Sequence, residues 1–195
     1  MALQTVNVAR MGDELPDAAP IGLSKENFLV QLLTNWSQTL EDVAGLEEAS
    51  GMISVVGGMI GLQINQEYRQ HFGRDLMDRE LVAQVLVDLK RRIDGGFSIE
   101  RITDEAIVLV NSKCPFGSSV NGRTSLCMMT SNVFGKIAAE NLGYARIELA
   151  ETIASGDGRC RVIVHLRPSD SASEIDGREY FSEQPLYGHH GRAGD

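Results

Sequence analysis

The chain has 195 residues, a hydrophobic fraction of 43%, a net charge of −9 and a pI of about 4.9. This length suits one domain with a buried core, and no apolar run approaches the roughly 18 residues of a membrane span. Residues 1–23 have no apolar signal-peptide core, and the acidic balance argues against direct nucleic-acid binding. We therefore expect a cytoplasmic protein that binds neither membranes nor nucleic acid directly.

The first predicted elements are a flexible tail and a helix. Residues 1–23 mix proline, glycine and acidic residues and are predicted to be flexible. Ser24 can cap a helix that continues to Leu40 or Val43. Its apolar residues recur at three- and four-residue steps and predict a buried face with Trp36 in the core; they are Phe28, Leu29, Leu32, Leu33, Trp36 and Leu40.

Residues 47–72 fit either a strand or a helix, and we favour the helix because apolar residues from Met52 to Ile64 share one helical face. Glycine lowers helix propensity, by about 1 kcal/mol for each residue. The spacing of Gly57 and Gly61 therefore predicts close helix packing, either inside the monomer or across a dimer.

A third helix is predicted to begin at the capping residue Asp78 and to end at Gly95 and Gly96. After it, the spacing of the apolar residues changes from that of a helix to that of strands. Residues 97–102 and 106–110 predict a hairpin. A helix from Thr124 or Ser125 to about residue 141 follows, and two further strands occupy residues 145–149 and 160–166. We predict an α+β fold, in which N-terminal helices precede a β-β-α-β-β unit with a four-stranded antiparallel sheet. Residues 24–167 form this single domain, and residues 168–195 are predicted to be a flexible C-terminal tail.

All three cysteines lie where a loop meets a regular element. Cys114 follows the second strand, Cys127 begins a helix whose dipole should favour its thiolate, and Cys160 points inward from the last strand. Three thiolates can hold Zn²⁺ or an iron–sulfur cluster with one open position. The C-x12-C-x32-C spacing is not a standard one, so three separate buried thiols are the alternative.

A fourth metal ligand is predicted at Asp157, with Glu140 as the second candidate, and solvent or a small ligand is equally compatible. A metal-free thiol switch competes with the metal centre. No Ser-His-Asp or G-x-S-x-G pattern is present, so we do not expect an enzyme. Catalysis by Cys127 as a nucleophile is the weakest of these hypotheses.

Between about Phe28 and Leu166 the chain resembles the methanogen output domain family. The resemblance rests on the sequence from Cys114 to Gly117, on the motif from Leu126 to Ser131, and on the segment before Cys160. The layout is more distantly similar to vinyl-reductase-type sensory domains, in which helices precede a small sheet and cysteines bind metal. The resemblance implies a sensory or output role in signal transduction, with output through another protein or self-association.

The combined hypothesis is a dimeric cytoplasmic regulatory domain that acts on a protein signalling partner. Its three cysteines hold a metal centre, with an iron–sulfur cluster slightly favoured over zinc, which senses redox state or a small ligand. If the metal is structural zinc, sensing lies in an apolar pocket around Trp36, Phe116 and Met129. A metal-free interaction module that docks through the helix carrying Gly57 and Gly61 is the alternative.

Overall fold

The structure is a computed structural model that describes residues 21–168 and 177–183. It contains helices α1 (Lys25–Ala44), α2 (Leu46–Phe72), α3 (Arg79–Arg91) and α4 (Cys127–Leu142). The strands are β1 (Phe97–Ile102), β2 (Ala106–Asn111), β3 (Tyr144–Glu151), β4 (Cys160–His165) and β5 (Arg178–Phe181). The described part contains no helix that is both long and apolar enough to cross a bilayer.

The sheet has five strands in the order β1-β2-β4-β3-β5, and every neighbouring pair is antiparallel. The predicted α+β class is confirmed, whereas the predicted number of four strands is wrong. The additional strand, β5, pairs with β3 and lies within the segment that was predicted to be a flexible tail. Residues 1–20, 169–176 and 184–195, which make up most of the two predicted tails, lie outside the described residues.

A close approach between α4 and β5 explains how so short a strand is held. A Cβ atom at Gly135 would lie 2.2–2.5 Å from ring atoms of Tyr180, so only glycine leaves room for this ring. The Tyr180 hydroxyl also forms a 3.0 Å hydrogen bond with the hydroxyl of Ser131. Helix α4 and β5 are therefore fitted to each other at this position.

The core lies between one face of the sheet and helices α3 and α4. On the sheet side it consists of apolar side chains that share a face in adjacent strands, and Ile107 is paired with Val164, which is paired with Ile147. Helix α3 begins where expected, since the Asp78 carboxylate accepts a 2.9 Å hydrogen bond from the amide of Leu81. Burial of this apolar face orients α3, α4 and the sheet relative to one another.

The predicted close helix packing of Gly57 and Gly61 lies inside this chain. A Cβ atom at Gly57 would lie 2.9 Å from Cβ of Asn132, and one at Gly61 would lie 3.1 Å from Cα of Val133. Both neighbours belong to α4, so the glycines allow α2 to approach that helix closely. For these two residues the packing favours a contact inside the monomer over a contact across a dimer.

The burial predicted for the apolar face of α1 is wrong. Only Thr34 and Ser37 of this helix are buried, while the Trp36 side chain is 55% exposed. The buried side is held by polar contacts, because Ser37 and Ser125 share a 2.8 Å hydrogen bond between their hydroxyls. The apolar stripe therefore faces away from the chain.

Candidate functional site

Several helices and strands and one loop line a cavity of about 80 Å³. The last turn of α3, the first turns of α4, the ends of β3 and β4 and the loop after β2 all contribute to its walls. All three cysteines are in this lining, which consists of Lys90, Ile93, Phe97, Asn111, Cys114, Pro115, Phe116, Val120, Leu126, Cys127, Met129, Thr130, Leu149, Thr152, Cys160 and Val162. The structure thus brings three sulfurs from distant parts of the sequence to one cavity.

Asn111, the last residue of β2, connects two of the cysteine-bearing segments. Its side-chain oxygen accepts a 3.2 Å hydrogen bond from the amide of Cys160, and its side-chain nitrogen donates a 3.0 Å hydrogen bond to the carbonyl of Lys113. Asn111 and Cys160 are also paired in the sheet register. This one amide side chain therefore positions both the last strand and the loop that begins with Cys114.

Lys90 is the one ammonium group in the lining of the cavity. Its side chain is almost completely buried, and Nζ donates a 2.7 Å hydrogen bond to Oγ1 of Thr130. Nζ also lies 5.7 Å from the ring centroid of Phe97 and 5.4 Å from that of Phe134, within the range of cation–π attraction. Burial lowers the pKa of Lys90 to about 8, so the ammonium form is still favoured at neutral pH.

The thiols are neutral in this environment. All three cysteines are free, and burial raises the pKa of each thiol, that of Cys127 to about 12. This direction runs against the expectation that the helix dipole favours a Cys127 thiolate. A three-residue 3-10 turn, Thr124–Leu126, precedes α4, and desolvation by burial has the largest influence on the Cys127 pKa.

The two residues predicted as a fourth metal ligand do not line the cavity. Asp157 accepts a 2.7 Å hydrogen bond from the amide of Thr152 in the turn before β4. Glu140 comes thirteen residues after Cys127, which corresponds to roughly 20 Å along an α-helix. Its carboxylate accepts a 2.9 Å hydrogen bond from the amide of Glu183 instead.

Within the described residues, no group of three or more histidine, cysteine, aspartate or glutamate side chains is arranged to hold a metal ion. The residues as placed do not fit zinc or an iron–sulfur cluster. The metal centre at the three cysteines stays a prediction without support from this arrangement.

The three residues of the predicted ligand pocket are divided between two places. Phe116 and Met129 line the cavity with the cysteines. Trp36 lies on α1 beside a separate shallow groove that is formed by residues of that helix alone. A pocket that combines Trp36 with the other two is therefore not present in the described structure.

Sequence reasoning missed Lys90 as a site residue, although it lies within the third predicted helix. The sequence did indicate this position, because Lys90 comes four residues after Leu86 and therefore lies at the edge of the buried stripe of α3. A charged residue at such a position is buried only if the fold provides a polar or aromatic partner. Here Thr130 and two phenylalanine rings provide it.

Comparisons with known proteins agree with this architecture. The family model described as methanogen output domain 1 matches residues 32–165, whereas no curated protein matches the sequence. A trafficking protein particle complex subunit 3 from Naegleria fowleri, covalently bound to palmitic acid, is similar in structure. It has a TM-score of 0.59 and 13% identity, and the match covers 73% of this chain and 95% of that one.

The phenol-responsive sensory domain of the transcription activator PoxR, solved with phenol, is similar to about the same degree. Its TM-score is 0.58 at 14% identity, over 74% of this chain and 79% of that one. At these identities the two structures show a shared fold, which agrees with the expected likeness to sensory domains. The family match covers more than half of the chain and confirms the resemblance that the cysteine motifs indicated. This chain belongs to the methanogen output domain 1 family.

Proposed function

We propose that this chain is a regulatory domain of signal transduction that responds to a small molecule bound in the cavity beside Lys90. The observation that supports this proposal most directly is the cavity itself, which is largely apolar and has one buried ammonium group and three thiols in its wall. Membership of an output-domain family and the fold shared with a phenol-responsive sensory domain support a sensory role. Pockets with a few convergent polar groups in an apolar lining are typical of ligand sites.

The volume of the cavity limits the size of the ligand. An apolar cavity of roughly 150 Å³ can hold benzene, and the cavity in this chain is about 80 Å³. A long acyl chain such as palmitic acid, which is bound to the structural relative, is too large for it. The proposed ligand therefore has only a few non-hydrogen atoms.

Ligand binding is tested with a panel of small molecules in thermal unfolding, and each hit is measured by isothermal titration. A ligand present at about 100 times its Kd should add roughly 2.7 kcal/mol of stability. Leu149→Phe places a larger side chain in the cavity wall and should abolish the response. Leu142→Phe, at the end of α4 and outside the cavity lining, is the matched control. Loss of binding in both variants, or in neither, would place the ligand elsewhere.

Redox sensing by these cysteines is a separate proposal with its own test. If two of the thiols form a disulfide on oxidation, mass spectrometry after mild oxidation will show one defined pair. Metal analysis of protein purified without oxygen tests the predicted iron–sulfur or zinc centre. Stoichiometric metal that is lost on Cys127→Ala would replace the small-molecule proposal.

A second candidate function is protein interaction, which an exposed apolar surface on α1 and α2 favours. Thirteen large apolar side chains of these two helices are 39–82% exposed, and we call ten of them, away from the helix ends, the α1–α2 apolar surface. They are Phe28, Leu29, Leu32, Leu33 and Trp36 on α1, and Met52, Val55, Val56, Met59 and Ile60 on α2. Large exposed apolar areas usually mark interaction sites.

We propose a second copy of this chain as the partner on that surface. If each side chain has an area of roughly 150 Å², the lower end of the range for aromatic side chains, these exposures correspond to roughly 800 Å², which is about one partner's share of a standard interface. Anionic membranes are a poorer match. Each of the two helices has more acidic than basic side chains, whereas helices that lie on membranes are rich in lysine and arginine.

The oligomeric state of Met59→Glu, measured by sedimentation equilibrium, tests this proposal. Wild-type protein should be a dimer at micromolar concentration, and the variant should be a folded monomer. Phe181→Glu is the control, because Phe181 is 61% exposed on the edge strand β5 and outside the α1–α2 apolar surface. A monomeric wild-type protein, or a dimer that only the control variant disrupts, would overturn the proposal.

A further inference from the structure

Lys90 is a buried cation for which the described chain supplies no acidic partner. Its ammonium group has one hydrogen bond to Thr130, and no ion pair with a carboxylate is formed within the described residues. The titratable groups that most influence its pKa after burial are the three thiols of the cavity, which carry no charge while they are protonated. Because isolated buried charges are unfavourable, an anion placed beside Lys90 would be strongly stabilised.

We propose that the cavity binds a short-chain carboxylate, with the carboxylate group at Nζ of Lys90 and the alkyl chain against the apolar wall. This inference rests on the proposed function and names its ligand class. Thr130 fixes the position of the ammonium group in the absence of ligand. The two remaining N–H bonds of the ammonium group can then reach a carboxylate, because a lysine has three donors and Thr130 takes one.

The thiols favour a carboxylate ligand over internal charge pairing. Among the described residues, the ammonium group of Lys90 donates a hydrogen bond to Thr130 and forms none with the three sulfurs. A protonated thiol is a weak hydrogen-bond donor. Cys114, Cys127 and Cys160 can therefore complete the surroundings of an anionic oxygen without competing for the lysine.

The lining also discriminates between classes of anion. One ammonium group balances a single negative charge, and apart from Lys90 the wall is made mostly of apolar side chains, among them Phe97, Leu149 and Val162. Phosphate or sulfate would bring more charge and more acceptor oxygens than this wall can satisfy. The volume of about 80 Å³ limits the alkyl part to a few carbons.

Isothermal titration of the full chain with propionate and with propionamide tests the inference. The two probes have the same number of non-hydrogen atoms and differ in charge. Ligands of this size reach micromolar Kd at best. Loss of a charge-assisted hydrogen bond corresponds to about tenfold or more, so we expect propionamide to bind at least about tenfold more weakly than propionate. Lys90→Met should remove this preference while the variant remains folded by circular dichroism.

The outcomes separate this inference from the proposed function. If propionate binds no better than propionamide, or if Lys90→Met retains the preference, the carboxylate class is refuted. A neutral molecule from the panel that binds in place of propionate refutes the ligand class and leaves a small-molecule sensor. If neither probe nor any panel molecule binds, both proposals fail.

Discussion

Replacement of Lys90 by methionine should stabilise the ligand-free protein although it removes a side chain with defined contacts. Burial lowers the pKa of Lys90 from 10.5 to about 8, and each unit corresponds to about 1.4 kcal/mol. The charged form therefore costs the fold about 3 kcal/mol at neutral pH. Methionine avoids that cost but loses the hydrogen bond to Thr130 and the contacts with the two phenylalanine rings. We expect a net stabilisation of about 1–2 kcal/mol.

The pH dependence gives this prediction its sign. Because the pKa of Lys90 is lower in the folded state, the cost is fully present below about pH 8 and disappears as the pH rises toward 10.5. The advantage of Lys90→Met in urea unfolding should therefore shrink between pH 7 and pH 9.5. Arg91→Met, in which the replaced side chain is 77% exposed, should change stability little at either pH. If Lys90→Met is less stable than wild type and the difference does not change with pH, the reasoning from a buried unpaired charge is refuted.

Three further substitutions test the packing and the charges outside the cavity. Gly57→Ala places a Cβ atom 2.9 Å from Asn132 and should cost about 1 kcal/mol in urea unfolding, whereas Gly58→Ala has room and should be neutral or stabilising. Gly135→Ala displaces the Tyr180 ring and should expose the β5 amides to hydrogen exchange. Hydrogen bonds from Tyr68 and Arg92 lower the pKa of Asp88 to about 2. Asp88→Asn should therefore remove about 1 kcal/mol of stability at pH 7, and little at pH 2.

Each of these substitutions has a result that would contradict its reasoning. Equal effects of Gly57→Ala and Gly58→Ala would mean that α2 does not approach α4 closely. Protected β5 amides in Gly135→Ala would show that Tyr180 is not fitted against that glycine. An acid-unfolding profile that is identical for Asp88→Asn and wild type would exclude a stabilising role for this carboxylate.

Periodicity in the sequence was sufficient for most of the elements. Helix α3 has a capping aspartate, a regular apolar stripe and a glycine end, and the strands of the hairpin are apolar enough to be recognised. Burial of one apolar face follows directly from such patterns. The α+β class was predictable for that reason.

The apolar stripe of α1 shows the limit of the same reasoning. The pattern correctly groups Phe28, Leu32 and Trp36 on one side of the helix, but it contains no information about what covers that side. The core prediction assumed that the chain itself provides the cover. The structure instead turns Thr34 and Ser37 inward, where Ser37 bonds to Ser125 and the Thr34 hydroxyl donates to carbonyls of its own helix.

The fifth strand was not predictable because it has only four residues, Arg178–Phe181, and two of them are charged. Its position depends on pairing with β3 and on the space above Gly135, which are contacts between distant parts of the sequence.

The cavity also depends on contacts between distant parts of the sequence. The junction positions of the cysteines predicted that they converge, whereas Lys90 and the raised thiol pKa values depend on burial that only the fold creates.

The most direct test of the cavity is a crystal structure of the full chain under xenon pressure, with anomalous data that distinguish xenon from iron and zinc. Xenon enters small apolar cavities without any need for a specific ligand. The account predicts a xenon atom in the cavity against the wall formed by Leu149 and Val162, with Nζ of Lys90 bonded to Thr130 and no metal at the three sulfurs. A metal ion held by Cys114, Cys127 and Cys160, or a wall closed by packed side chains, would contradict the account.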